Sequence, residues 1–552
     1  MAINIENDAY RYAIKNAFEH KGKAEIGAMV GKLKALHKDK PVPELMPFVI
    51  EAVKKVNSMP LAEIEEEFRK MEGNYELKPK PGREGLPELD WAEKGEKVVT
   101  RYAPNPNGPL HLGNARAAYL SYLYAEKYSG KFILRFEDTD PKVKKPIADA
   151  EKVFREDLSW LGIKVGEVYY ASDRLEKYYD YMRKLVEMGK AYVCKCDSEK
   201  WRLLTQKKKP CPHRGLDAKE ELAEFEKMLR HELKEGSAVL RIKTDLNNPD
   251  PSVRDWWLAR IIDNPEHPRA GTSKHLWPSY MFQSAIDDHE MGITFILRGQ
   301  EHSQNQTKQE FLYSYFGWKY PHAVHFGRLK IGTMVLSTSK IKEGIENGEY
   351  LDWDDIRLGT IRALRRRGFK AEALKKIIID SGLNTNDAGI STQKLASYNQ
   401  ALIQDDATRI TFITDPIKLQ VPMQEEMVVE KDGMSFTLPR GMHEFFVSEK
   451  EVKAIKEPVF RIRNCYNVRV EKKDGLLLEG VFAGKEATGK KVLPWVLDSM
   501  DLELLLGDGS RVVGATEAQE LKKGEYIYIE KKGYCIIDSV DEGRPKAWFS
   551  HE

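Results

Sequence analysis

His111 and Asn114 stand three residues apart in VVTRYAPNPNGPLHLGNAR (98–116), a stretch whose residue types suit phosphate binding. It opens on Val98 and Val99 and passes through Pro104, Asn105, Pro106, Asn107, Gly108 and Pro109. It then turns helical through HLGNARAAYLSYLYAEKYSG. The pattern is a strand, a tight loop and the start of a helix. At i and i+3 the two side chains share one face of the first turn, where backbone N–H groups lack partners and the dipole end is positive. Gly113 between them leaves room for a ligand to approach the backbone. Such a place holds an anion, phosphate above all. An ordinary Pro/Gly loop with His111 as a helix cap satisfies the same pattern, and the stretch alone does not separate the two.

A second constellation is Cys194, Cys196, Cys211 and His213, reading C-x-C-x14-C-x-H. Three thiolates and an imidazole can close a tetrahedral zinc site with no open position, which is a structural rather than a catalytic arrangement. Reduced buried cysteines are the alternative. Lys207–Lys209 beside it reads either as a phosphate contact or as a solvated charge run. A third pattern, Gly484 to Lys491 (GKEATGKK), has P-loop spacing but ends in Lys where Mg²⁺ needs Ser or Thr. It lies between two apolar runs, LLLEGVF and VLPWVL, and reads as a hairpin loop.

The elements that must position these groups change character along the 552 residues, a length that implies several domains. Residues 1–76 are helical in pattern, with HKDKPVPEL dividing two blocks. The Pro/Gly-rich segment 77–97 reads as a linker. From 98 to 172 strands alternate with helices, which predicts a parallel sheet with crossover helices. FILRFEDTD (132–140) is its second strand and ends in three carboxylates. An insertion of mixed character spans 173–275, and the sheet resumes over 276–334. Arg101, Glu137 and Arg298 all fall at strand ends, where such sheets bind ligands. Each arginine alone also fits a structural ion pair. Residues 335–399 are helical and contain ALRRRG, of which at least one arginine should pair with a carboxylate. From 400 to 552, short β-rich runs separated by Asp432-Gly433, Asp474-Gly475, Asp508-Gly509 and Lys532-Gly533 predict all-β barrels.

Composition limits the partners. Lys+Arg 88 against Asp+Glu 86 leaves a formal charge of +2, so nucleic-acid binding would rest on local patches. Five cysteines in so long a chain argue against a disulfide framework. No apolar run is long enough to span a membrane, the N-terminus lacks a signal-peptide core, and a cytoplasmic location is the expectation.

HLGN (111–114), LRFEDTDP (134–141), FILRGQEH (295–302) and VLSTSKI (335–341), in that order and spacing, resemble the class I glutamyl- and glutaminyl-tRNA synthetases, archaeal type. HLGN stands where the class carries HIGH, and LSTSK where it carries KMSKS. The resemblance implies a multidomain α/β protein. Its Rossmann-type class I catalytic domain carries an inserted acceptor-stem-binding domain, an N-terminal helical domain, a helical stem-contact subdomain and C-terminal all-β barrels for the anticodon. It places Pro104, Asn105, Gly108, His111, Gly113, Asn114, Arg328, Leu329 and Lys340 at ATP, with His111, Asn114 and Lys340 as the catalytic set. Arg101, Ala103, Glu137, Tyr280 and Arg298 go to the amino acid, with Glu137 toward the ammonium.

The implied reaction is ATP-dependent formation of glutamyl-adenylate, then transfer to the 2′-OH of the terminal adenosine. ATP, Mg²⁺ and a structural Zn²⁺ are the implied cofactors. L-glutamate and tRNA(Glu) are the implied partners, with tRNA(Gln) an open second acceptor, and the chain is expected to be a monomer. Asn114 departs from the second His of HIGH and cannot carry charge. Thr338 takes the place of the loop's catalytic lysine, and Lys340 is the nearest substitute. Arg298 matches a side-chain carboxylate through two hydrogen bonds, where glutaminyl enzymes carry a small uncharged residue. A glutaminyl-tRNA synthetase and a non-catalytic tRNA-binding relative are the competing readings.

Overall fold

Small apolar residues at helical spacing build the first of two units, 1–84 and 85–552. The computed structural model describes residues 5–19, 22–37, 40–72, 85–332, 334–486 and 490–552. Helices α1 (Ile5–Glu19), α2 (Ile26–Leu36), α3 (Val42–Asn57) and α4 (Leu61–Glu72) share one core. Ala9, Ala13 and Ala17 of α1 are buried there with Val49, Val53 and Val56 of α3. The sequence suggests two helical blocks; four helices form instead, because side chains stabilise breaks. Asn57 caps the first break, accepting from Ala24 N at 2.7 Å and donating to Ala24 O at 3.1 Å. Asn16 accepts from Glu25 N at 2.8 Å. The first part of the expected linker, 77–84, lies outside the described residues.

In the second unit a short helix α5 (Asp90–Glu93) precedes the sheet. Strand β1 (Val99–Tyr102), helix α6 (Leu112–Lys127), β2 (Lys131–Phe136), α7 (Ala150–Trp160) and β3 (Glu167–Tyr170) run in sequence. The chain returns much later as α11 (Tyr280–Glu290), β8 (Phe295–Gly299), α12 (Ser303–Phe316) and β9 (His322–Phe326). All five strands are parallel in the order β3-β2-β1-β8-β9. The winding reverses at β1, so the crevice beyond its carboxyl end is the ligand position of such sheets.

Between these halves lie α8 (Leu175–Glu187), β4 (Ala191–Cys194), α9 (Ser198–Gln206), α10 (Ala218–Leu229), β5 (Val239–Ile242), β6 (Trp257–Ile261) and β7 (Leu276–Pro278). The four strands form an antiparallel sheet in chain order, which runs a few residues past 275. Its core is continuous with α11 and α12.

After β9, strand β10 (Leu329–Ile331) pairs in parallel with β11 (Ala388–Ile390). Helices α13 (Thr338–Glu346), α14 (Ile361–Arg366), α15 (Ala371–Asp380) and α16 (Thr392–Ile403) complete this region. The remainder is two β units built on a seven-stranded and a six-stranded sheet. Asp432-Gly433 joins Met427–Lys431 to Met434–Leu438, with φ of 54° and 80°, the conformation a two-residue hairpin requires. The hairpin expected at 484–491 does not form. Leu477–Phe482 pairs with Pro416–Met423 and Asn467–Asp474, whereas Val492–Leu493 pairs with Val459–Ile462. Residues 487–489 themselves lie outside the described residues. In ALRRRG, Arg366 pairs with Asp354 and Asp538, and Arg367 is buried against the carbonyls of Ile356, Phe549 and Ser550. No described helix is long and apolar enough to cross a membrane.

Candidate active site

His111 is the N-cap of α6, and its Nδ1 accepts from Asn114 N at 3.2 Å. That bond fixes the tautomer: the ring proton sits on Nε2, leaving one neutral donor. Burial pushes the imidazole pKa down to about 4, so the ring stays uncharged at neutral pH. Capping therefore uses Nδ1 and leaves the Nε2 proton free to donate elsewhere. The turn is braced from the far side of the LSTSK segment. Leu112 N donates to Gly359 O at 3.0 Å and Ile361 N to Leu110 O at 2.8 Å. Leu110 N donates to Asp157 at 3.2 Å.

Close approach makes glycine necessary at 108 and favours it at 113. A Cβ on Gly113 would lie 3.1 Å from the His111 ring, and one on Gly108 would lie 2.7 Å from both Thr338 Cγ2 and Trp353 Cη2. The first loop thus packs on the start of α13, which brings LSTSK to the HLGN turn. Ser337 precedes α13, and Thr338 and Lys340 fall in its first turn, Lys340 exposed. Pro104 O accepts from Glu137 N at 2.8 Å, and Asn105 Nδ2 donates to Glu137 O at 3.0 Å. Asn105 Oδ1 is buried without a protein partner. Arg328 is exposed beside Glu301, at 3.9 Å, while Leu329 is buried in β10. Ala103 follows β1 directly.

Of the three carboxylates ending β2, Asp138 is buried and accepts from Ser172 N and Oγ, and Asp140 accepts from Lys142 N and Val143 N. Glu137 enters a network the sequence reading did not contain. Arg135, fully buried, donates from Nε to Glu137 Oε1 at 3.0 Å and places Nη1 2.8 Å from Asp288. Arg101 Nε meets the same Asp288 oxygen at 3.1 Å. Asp287 answers Arg174 and Tyr178. Burial raises the Glu137 pKa to about 8; Arg135 opposes the rise, and Asp287 and Asp288 add to it. Glu137 Oε2 remains buried with no protein partner. Arg135 lies in β2, two residues before Glu137, which follows the strand directly.

Arg298 differs from Arg101. Only 5% exposed, its guanidinium donates from Nε to His325 Nε2 (3.1 Å), from Nη1 to Gln309 Oε1 (3.2 Å) and from Nη2 to Tyr320 Oη (2.9 Å). Among the described residues no carboxylate pairs with it. Tyr280, at the first position of α11, lies against His302 with ring centres 5.8 Å apart.

The chain matches the family described as tRNA synthetases class I (E and Q), catalytic domain, over residues 97–405. It belongs to that family. Glutamate–tRNA ligases of Pyrococcus abyssi and Thermococcus kodakarensis are each 44% identical to it, covering 100% and 98% of both chains. That of Methanothermobacter thermautotrophicus is 39% identical over 98% of both. A crystal structure of a glutamate tRNA ligase from Elizabethkingia meningosepticum with its amino acid is 22% identical. It spans 57% of this chain and 71% of that one, with a TM-score of 0.42. As a class I aminoacyl-tRNA synthetase, the chain uses ATP with Mg²⁺.

The Cys/His cluster closes at the end of β4. Cys211 Sγ lies 3.5 Å from both Cys194 Sγ and Cys196 Sγ, and His213 Nδ1 lies 3.3 Å from Cys211 and 3.8 Å from Cys196. All four donor atoms fall within 4.8 Å of one another. Tetrahedral zinc with ~2.3 Å Zn–S bonds sets its sulfurs about 3.8 Å apart, so the spacing and donor chemistry fit. Cys194 is drawn down to about 5, chiefly by Cys211.

Proposed function

We propose that this chain is a glutamate–tRNA ligase that selects its amino acid through Arg298. The observation that carries the selection is a buried guanidinium whose three protein partners are all neutral. A buried charge without a counter-ion is costly unless a ligand supplies one. Glutamate's side-chain carboxylate does so, and a glutamine amide does not. Arg101 is already paired with Asp288. Glu137 Oε2, buried and unpartnered, is the acceptor for the α-ammonium.

The α-carboxylate attacks the α-phosphorus of ATP, giving glutamyl-adenylate and pyrophosphate. The terminal adenosine's 2′-OH then takes the acyl group and releases AMP. No protein nucleophile is needed, so the residues position and stabilise charge. His111 Nε2–H donates to the phosphate oxygens, Asn114 donates beside it, and Lys340 supplies positive charge from the first turn of α13. Pro104, Asn105, Gly108, Gly113, Arg328 and Leu329 shape the rest of the ATP site. Mg²⁺, when bound, neutralises triphosphate charge. Zinc held by Cys194, Cys196, Cys211 and His213 ties the end of β4 to the 212–215 turn. The inserted domain then meets the acceptor stem of tRNA(Glu) and the β units meet the anticodon. The chain is taken to act as a monomer.

The test is aminoacylation with ATP and Mg²⁺, using each of glutamate and glutamine on each of tRNA(Glu) and tRNA(Gln). Glutamate attached to tRNA(Glu) is expected; the tRNA(Gln) arms report the range of acceptors. No glutamate charging on any tRNA would refute the proposal.

A further inference from the structure

Gln309 does more for Arg298 than hold it. The residue is 1% exposed and every polar atom of its side chain is committed. Oε1 accepts from Arg298 Nη1 at 3.2 Å and from Tyr320 Oη at 2.7 Å. Nε2 donates to Met281 O at 3.1 Å and to Ser284 Oγ at 2.8 Å. The two donor contacts fix which end of the amide faces the arginine, so a carbonyl oxygen and not an NH₂ meets the guanidinium. His325 stands opposite Arg298 in the β8–β9 register and presents Nε2 as an acceptor. Burial and the neighbouring Arg298 push its pKa down to about 4, which leaves the ring neutral. A guanidinium has five N–H donors. Three are engaged here, leaving one on each terminal nitrogen for a ligand.

Resting on the reading of Arg298 given above, we infer that Gln309 and His325 are specificity-positioning residues: they orient Arg298 through neutral acceptors and so keep its charge unspent for the substrate's side-chain carboxylate. A carboxylate at either position would orient the guanidinium as well. It would also supply the missing counter-ion from within the protein, and glutamate would lose the advantage its charge confers. Orientation and neutrality are thus separable, and neutrality sets specificity.

The experiment compares Glu with Gln at both positions: Gln309→Glu against wild type, and His325→Glu against His325→Gln. In each pair length and shape are closely matched and the charge differs. Gln309→Glu also turns an oxygen toward Met281 O, so position 325 is the cleaner of the two. Each Glu form should show a KM for glutamate at least ~10-fold above its Gln counterpart, with kcat and the KM for ATP within a few-fold. The glutamate-to-glutamine ratio of kcat/KM should fall by a similar factor. His325→Gln should keep the wild-type ratio, and a purely structural role would move kcat or folding without moving that ratio. Arg298→Cys, measured alongside, separates two failures. If it leaves the ratio unchanged, the reading of Arg298 is wrong. If it lowers the ratio and neither Glu form does, only the inference about the neutral partners is overturned. Failure of both Glu forms to fold would also overturn it, because a guanidinium without a counter-ion should accept the anion.

Discussion

Replacing His111 separates two jobs at two nitrogens of one ring, the cap and the phosphate contact proposed above. Nδ1 accepts from Asn114 N and caps α6, while Nε2 carries the proton proposed to reach phosphate. His111→Ala removes both. Loss of a cap costs about 1 kcal/mol, a shift of about 2–4 °C in the unfolding temperature of a domain of ordinary size. Loss of a transition-state donor costs about 3–4 kcal/mol, or ~10²–10³ in kcat. His111→Asn restores the cap, since Asn is among the best N-cap residues, but its shorter side chain does not place a donor where Nε2 stands. The Asn variant should therefore melt within about 1 °C of wild type. It should still lose ~10²–10³ in kcat for tRNA-dependent pyrophosphate exchange. Calorimetry and exchange on the same preparations decide it. Wild-type turnover in His111→Asn would mean that capping is all His111 does.

Glu137 gives a pH dependence whose sign follows from its raised pKa of about 8. The folded protein holds a proton there that the unfolded chain releases near the ordinary carboxyl value. This stability is present at low pH and is lost as pH rises through about 8. The substrate's ammonium needs the ionised form, so KM for glutamate should fall as pH rises toward 8; Glu137→Gln should flatten that profile, and an unchanged profile would contradict the assignment. Purified protein should contain one zinc per chain by elemental analysis, lost in Cys194→Ser and His213→Ala. KM for tRNA should then rise while the sheet's near-ultraviolet circular dichroism is kept. Metal-free native protein would refute the site.

The strand–loop–helix of 98–116 was legible because breakers and periodicity change within a few residues, and its structure follows the pattern closely. The Cys/His spacing likewise pointed to one cluster, and the four donors do converge. Other features depend on tertiary partners that no local pattern reveals. The break between α1 and α2 is stabilised by Asn57, more than thirty residues away. Arg101 and Arg298 look alike in sequence, yet Asp288 neutralises one of them and only neutral groups surround the other. Gln309 stands in the polar run SQNQTKQEF, yet packing against α11 and contacts to Arg298 and Tyr320 bury it. The runs flanking 484–491 do not pair with each other, because each finds its partner elsewhere in the six-stranded sheet.

In the proposed mechanism Arg298 reads the charge of the substrate's side chain. The most direct measurement is the ratio of kcat/KM for glutamate to that for glutamine, on one tRNA, in wild type and Arg298→Cys. Stranding a buried carboxylate without its partner costs a few kcal/mol, so glutamate should lose at least ~100-fold. Glutamine strands no charge and should lose far less, so the ratio should collapse. Equal losses for the two amino acids would contradict the account and assign Arg298 to the α-carboxylate they share.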